Sequence, residues 1–271
     1  MDRRLITPAE AALLLAPSSG TASKCLQAAL LSLLSAGRIA IEQSSSMFKQ
    51  SALLLNAAPP PTTPPLPSHL IALQEALQAY GKGDRLVSSQ VLHALQKRFG
   101  YGFERYVHEE VAPGLIKRAL LTRKDSKWLG LFPRITYQRT GRGDALFAPI
   151  ERLMLAVEEI PSLIDRDPDQ ALRIARSAGV LIIMSHKARR QIPALKKLLA
   201  ERGDDLVPLT YLPIVDEGEG KVDLEQLLDL GDMALEFDIE ALFDGIDAVG
   251  DFTSGGDSSS SDGGDGGGGG D

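Results

Sequence analysis

The sequence predicts an α+β fold: a single, mainly α-helical domain with short β-hairpins, followed by an acidic tail. Three observations point there. Apolar residues recur at helical spacing through most of residues 1–205. Two stretches, around 38–55 and 120–138, carry alternating or strand-forming residues instead. Beyond Gly203 acids take over, and 251–271 hold only Gly, Ser and Asp apart from Phe252 and Thr253. With 271 residues and 44% hydrophobic content, the chain can bury a substantial core. The chain divides into a domain over 1–205, an acidic amphipathic segment over 206–250 and a disordered tail over 251–271. That tail has too little apolar surface to offset the entropy of ordering.

The elements follow in order. Thr7 is placed to cap a helix over 9–16, with Pro8 at its first position and Glu10 at its third. Residues 17–23 are small and loop-forming. A second helix over 26–35 ends at Gly37, a residue suited to a left-handed cap. Residues 38–42 then alternate, with Ile39 and Ile41 on one face and Arg38 and Ala40 on the other; Ala52–Leu55 is the return strand. Six prolines within 57–67 make an extended linker that cannot pair in a sheet. Helices resume over 70–79 and 87–99, and Gly100 and Gly102 break the latter.

Residues 103–142 read as a helix running into a basic, aromatic hairpin. Leu115, Ile116, Ala119 and Leu120 recur at helical spacing, and Pro113 kinks or restarts the helix. Leu120 and Leu121 enter a strand, and 122–127 are polar and turn-like. Residues 128–131 and 135–137 are apolar and aromatic around Pro133, which suits an edge strand or a bulge. A helix over 146–159 ends at Pro161. Pro168–Ala178 and 180–185 read as one or two buried helices; by composition the run 180–184 also suits a strand, with helix preferred because it lies between helical patterns, and Ile192–Arg202 closes the body. Asp165, Asp167 and Asp169 alternate, but without the later ligands of a calcium loop they read as helix-capping groups.

Charge is distributed unevenly. Of the 36 acids and 29 Lys+Arg, 17 acids and one Lys lie in 216–271, a net of −16 there against +9 on 1–215. A basic body favours anionic partners, either lipid head groups or nucleic acid. The density peaks between Lys82 and Arg142, with 13 Lys+Arg against five acids. In the hairpin, Arg123, Lys124, Lys127, Arg134, Arg139 and Arg142 flank Trp128, Phe132 and Tyr137. Cations there would meet phosphates while aromatics sit at a membrane interface.

Other chemistry is disfavoured. The lone Cys25 excludes an internal disulfide, suits a reducing compartment and reads as a buried thiol. His69, His93, His108 and His186 lack metal-ligand spacing, and no phosphate loop, dinucleotide fingerprint or Gly-x-Ser-x-Gly elbow is present. The expectation is a non-enzyme that needs no cofactor. No apolar run spans a bilayer and MDRRLITPAE is not a signal peptide, so a cytoplasmic protein touching membranes peripherally is expected.

Two segments also carry a resemblance. LGLFPRITYQ at 129–138, preceded by GLIKRALLTRK at 114–124, and LLSAGRIAIE at 33–42 resemble signatures of the Golgi phosphoprotein 3-like family. That resemblance, at the level of element order, covers roughly residues 5–200. It implies peripheral membrane proteins that bind phosphatidylinositol 4-phosphate, the eukaryotic members acting as adaptors for Golgi glycosyltransferases. It also implies a head-group pocket built partly from two arginines one turn apart before the signature hairpin. Here those positions are Arg105 and His108. The pocket's early loop lacks its aromatic, Leu26 stands at its arginine position, and Lys24 is the nearby cation.

The reading is therefore non-enzymatic binding of anionic lipid, phosphatidylinositol 4-phosphate-like, at a cytosolic membrane face, on the Golgi if the source is eukaryotic. Arg105, His108 and Lys24 would take the head group, and Arg123, Lys124, Lys127, Trp128, Arg134, Arg139 and Arg142 would face the membrane. Two alternatives stand beside it. Helix–hairpin units superficially resemble winged helices and could bind nucleic acid, the less favoured partner. The segment 222–249, with leucines and phenylalanines among acids, could serve a protein partner.

Overall fold

The computed structural model describes residues 6–42, 52–55, 66–80, 85–128, 132–202 and three short pieces, 224–225, 228–229 and 242–248. Helix α1 (Pro8–Leu15) begins with the expected capping box: Glu10 N donates to Thr7 Oγ1 at 3.3 Å, and Thr7 N donates to Glu10 Oε2 at 3.0 Å. Helix α2 (Ala22–Ser35) is the central helix. Every residue from Ala22 to Leu34 is buried except Lys24, as an all-round apolar sequence requires. Gly37 closes it at φ +63°, a left-handed position that costs glycine little.

Strands β1 (Ile39–Glu42), β2 (Ala52–Leu55) and β3 (Arg85–Val87) form an antiparallel sheet in that order. The third strand was not expected. Three residues carry no period, and β3 is recognised only through its pairing with β2 and the Arg85–Glu42 ion pair at 2.9 Å. Helices α3 (Ser68–Tyr80) and α4 (Ser88–Phe99) pack on each other, and α3 also packs on α2.

The chain then winds as a π-helix over Tyr106–Val111 before α5 (Ala112–Lys117). Proline explains the widening. Pro113 has no N–H to give to the carbonyl four residues back, and Ala112 N donates instead to Val107 O, five residues back. Tyr106 anchors the segment, edge-on to Phe99 with ring centroids 4.9 Å apart and its hydroxyl donating to His69 O at 3.3 Å.

Two expectations fail here for physical reasons. Residues 115–120 do not stay helical: α5 ends at Lys117, and Ala119 sits at φ +56° as the chain reverses. Residues 122–127 are not a turn but lie in β4 (Leu121–Trp128), paired antiparallel with β5 (Phe132–Arg139) from Leu121↔Arg139 to Trp128↔Phe132. Residues 122–126 are all exposed, while Leu121 and Tyr137 are buried against the core. Pro133 pairs opposite Lys127 in this two-stranded sheet, where both strands are edges.

Helix α6 (Gly141–Arg166) starts where Thr140 Oγ1 accepts from Gly143 N at 3.1 Å. A Cβ on Gly143 would fall 2.1 Å from Leu120 O, so glycine is what lets the helix approach the hairpin base. The helix runs through Pro149 and Pro161, against the expected end at Pro161. Continuing it buries Ile150, Leu153, Val157, Ile160 and Leu163 as one stripe. That burial outweighs the roughly 3 kcal/mol cost of an internal proline. Asp167 caps α7 (Pro168–Ala178) by accepting from Gln170 N at 3.1 Å. Helices α8 (Leu181–Met184), α9 (His186–Arg189) and α10 (Ile192–Arg202) complete the body. Residues 180–185 thus include the helix expected there, and α9 is too short to have shown a period.

The acidic segment contributes to the packing. Leu224, Leu228, Leu242, Phe243 and Ile246 are buried and belong to the same core cluster. Of the linker over 57–67, residues 57–65 fall outside the described residues, as do much of the segment 222–249 and the tail over 251–271.

Candidate functional site

The π-helix and the hairpin meet at a side-chain junction. His108 Nδ1 and the Tyr137 hydroxyl are 2.6 Å apart, with rings at 5.6 Å, tying the helical segment to β5. Tyr137 pairs across the hairpin with Arg123, and Arg123 holds Asp125 at 2.8 Å. Burial pushes His108 below its ordinary pKa; Arg123 pushes the same way, while Glu104, Glu109 and Asp125 oppose. Burial lifts Tyr137 to about 12, so its hydroxyl keeps its proton. Arg105 stands just before the π-helix, more than half exposed, and pairs with Glu109 at 3.1 Å.

Of the residues singled out from the sequence, His108 and Arg123 meet at this junction through Tyr137, while Arg105 lies just before the π-helix with Glu109 as its partner. Lys124 and Arg142 are exposed nearby in sequence, on β4 and the first turn of α6. Among the described residues no acid pairs with Lys124 or Arg142. Arg139 belongs to the fold instead. Its Nη1 donates to Leu14 O at 2.9 Å, its Nε to Asp144 at 3.0 Å, and its guanidinium lies 3.8 Å from the Phe147 ring centroid. The side chains of Lys127, Trp128 and Arg134 lie outside the description; their backbones pair as Lys127↔Pro133, Trp128↔Phe132 and Ser126↔Arg134.

Lys24 stands apart from this junction. It is the exposed residue in the first turns of α2, flanked by Ser23 and Gln27. Both neighbours serve residues 242–248. Ser23 Oγ donates to Ile246 O at 3.4 Å, and Gln27 Nε2 donates to Phe243 O at 3.4 Å and to Asp247 Oδ1 at 3.0 Å. Neither Ser23 nor Gln27 was singled out from the sequence, because their partners lie more than two hundred residues away. Phe243 therefore docks on α2.

The chemistry available is electrostatic. Guanidinium groups such as those of Arg105 and Arg123 are able to donate charge-assisted hydrogen bonds to an anion. Cys25 is fully buried and its thiol is pushed far up by desolvation, so no thiolate is at hand. Among the described residues no helix is long and apolar enough to cross a membrane. Among curated proteins, no relative matches the sequence. A family description, Golgi phosphoprotein 3 (GPP34), matches residues 9–209, from the first turn of α1 to just past α10. The chain belongs to that family.

Proposed function

We propose that this protein binds anionic lipid head groups, phosphoinositides carrying a ring phosphate foremost, at the cytosolic face of a membrane, as a non-enzymatic peripheral adaptor. The observation that carries this reading is the junction itself. Exposed Arg105, paired with Glu109 at 3.1 Å, stands just before the π-turn whose His108 meets the Tyr137–Arg123 pair of the hairpin, with exposed Lys124 one residue along β4. Family membership supports it. Each cation near an anionic surface contributes about 1 kcal/mol, and a direct bond to phosphate roughly 1.5–3 kcal/mol.

The test is vesicle flotation of the full chain. Binding to vesicles containing phosphatidylinositol 4-phosphate should exceed binding to neutral vesicles and fall with salt, since the Debye length shortens from about 10 Å at 0.1 M. Arg105→Ala should weaken it roughly tenfold or more, and Arg190→Ala, an exposed charge on the far helices, only slightly. Equal losses in the two variants would leave a diffuse patch with no pocket. Preference for duplex DNA over vesicles would replace the reading with nucleic-acid binding.

A further inference from the structure

Among the described residues the most exposed large apolar-bodied side chain is Tyr101, 78% accessible. An unusual backbone holds it there. Phe103 N donates to Gly100 O at 3.3 Å and closes a tight turn over 100–103. Gly102, at φ +79°, supplies the positive angle that such a turn takes at its third position. Gly100 opens the turn at φ +82°. Phe103 ends it at φ +57°, a region that bulky side chains rarely enter. Phe99 and Phe103 are buried in the core on either side of the turn and fix this backbone. Strain of this kind persists where packing over-determines it, and it concentrates at binding sites. Its result here is a reversal between two core phenylalanines that leaves the Tyr101 ring in water.

Cations flank the turn. Residues 97–105 hold Lys97, Arg98 and Arg105 against one acid, Glu104. Arg98 and Arg105 both cross to the π-helix and pair with its successive acids, Glu110 at 3.3 Å and Glu109 at 3.1 Å. One guanidinium from each side of the turn is thereby set on the same stretch of helix. Arg105 also runs along the turn itself, its Cδ 3.7 Å from where a Cβ on Gly100 would sit. Both arginines stay largely in solvent, and exposed Lys97 has no acid paired with it among the described residues. An aromatic ring with a polar tip, accompanied by cations, is the combination that lies at the boundary between head groups and acyl chains. The core of a protein interface is an apolar patch instead, and the neighbours of Tyr101 in the turn are glycines.

We propose that the turn over 100–103 is a membrane anchor: the Tyr101 ring enters the interfacial layer of an anionic bilayer while Lys97, Arg98 and Arg105 meet the phosphates around it. The inference rests on the lipid-binding reading above and adds to it a contact residue on the other side of Arg105 from the hairpin. The ring and the cations contribute in different ways. Burial of the ring is apolar and indifferent to moderate salt, whereas the attraction of the cations is screened.

The experiment uses the full chain and phosphatidylcholine vesicles containing phosphatidylinositol 4-phosphate. Y101S should weaken binding at least about fivefold, by a similar factor at low and high salt, and Y101F, which keeps the ring, should stay within about twofold of the parental chain. Y101S should keep the parental urea midpoint, because the side chain it shortens is in water. A second readout does not depend on shortening the ring. Cys25 is the one cysteine of the sequence and is buried, so Y101C offers a single accessible thiol for an environment-sensitive dye. The emission of that dye should shift to the blue when vesicles are added. Parental affinity in Y101S, or a dye at position 101 that stays in water on bound protein, overturns the anchor and leaves lipid binding intact. If neither the parental chain nor Y101F binds anionic vesicles, the lipid reading itself falls and takes this inference with it.

Discussion

Two arginine–glutamate pairs on neighbouring elements show how burial decides what an ion pair is for. Arg118 and Glu10 join α5 to α1 with side chains 23% and 9% exposed. Glu10 also accepts from Thr7 N, and Thr7 Oγ1 lies 3.0 Å from His69 Nε2, so one carboxylate ends a chain of buried polar groups. Arg105 and Glu109, four residues apart, are 57% and 45% exposed. The first pair has lost its water and must be matched within the protein. The second keeps its water, holds its partner weakly and can exchange it for a phosphate. The same two residue types therefore make a buried clasp in one place and an exposed, exchangeable pair in the other.

The largest break in this comparison is Glu10→Ala. It strips Arg118 of its carboxylate and α1 of half its capping box, and it leaves charge in a poorly hydrated site. We expect a loss of roughly 3 kcal/mol or more, read as a lower urea midpoint at pH 7. A loss below about 1 kcal/mol would mean that water replaces the carboxylate and the clasp is not buried in effect.

The clasp also has a pH signature. Burial lowers the His69 pKa from 6.5 to about 4, with Glu10 pulling it up and Arg118 pushing it down. The folded pKa lies below the unfolded one, so the unfolded chain binds the proton more tightly. This contribution is fully present above pH 6.5 and is lost as pH falls toward 4. The shift corresponds to about 3 kcal/mol over that window. His69→Gln should be less stable at pH 7 but show a flatter midpoint between those limits. A parallel slope in both proteins would assign the acid sensitivity to other groups.

How legible these features were depended on sequence distance. The α1 capping box spans three residues and Gly37 needs only its own φ, so both were readable. The Thr7–His69 contact spans 62 residues, and nothing in the pattern around His69 announced it. Local rules failed where tertiary burial overrode them. Pro161 reads as a stop, but the stripe continuing to Leu163 kept α6 whole. The polar run 122–127 reads as a turn, although pairing with β5 makes it a strand. At the site, Arg105 and His108 stood out only through family resemblance, which assumed an α-helical turn. The π-helix instead changes the angle between them, since it turns less per residue. Tyr137 could have been found as the His108 partner only by aligning the hairpin register. Ser23 and Gln27 had no signal at all.

A smaller effect sharpens the exposed side. Protonated His108 adds a cation near Arg123, and its pKa is held below the ordinary value mainly by burial. Affinity for anionic vesicles should therefore rise as pH falls below 6.5, by at most about 1 kcal/mol for one charge. Phosphatidylglycerol vesicles suit the measurement because their own charge does not change in this range. His108→Gln should bind with a flatter pH profile. Should the variant keep the parental profile, His108 stays neutral in the complex and serves only to hold Tyr137.

The smallest expected effect is the stability change of Arg105→Ala, and its smallness matters. An exposed pair four residues apart on a helical turn is worth about 0.5 kcal/mol at most. The variant should keep the parental urea midpoint within that margin while losing vesicle affinity. A double-mutant cycle with Glu109→Gln should give a coupling of the same small size. Glu109→Gln alone should bind vesicles slightly more tightly, because it removes the carboxylate that competes with phosphate for the guanidinium. If Arg105→Ala instead cost roughly as much as Glu10→Ala, Arg105 would be a second clasp. Its loss of binding would then report a damaged fold, and the contrast between the two pairs would collapse into a single structural role.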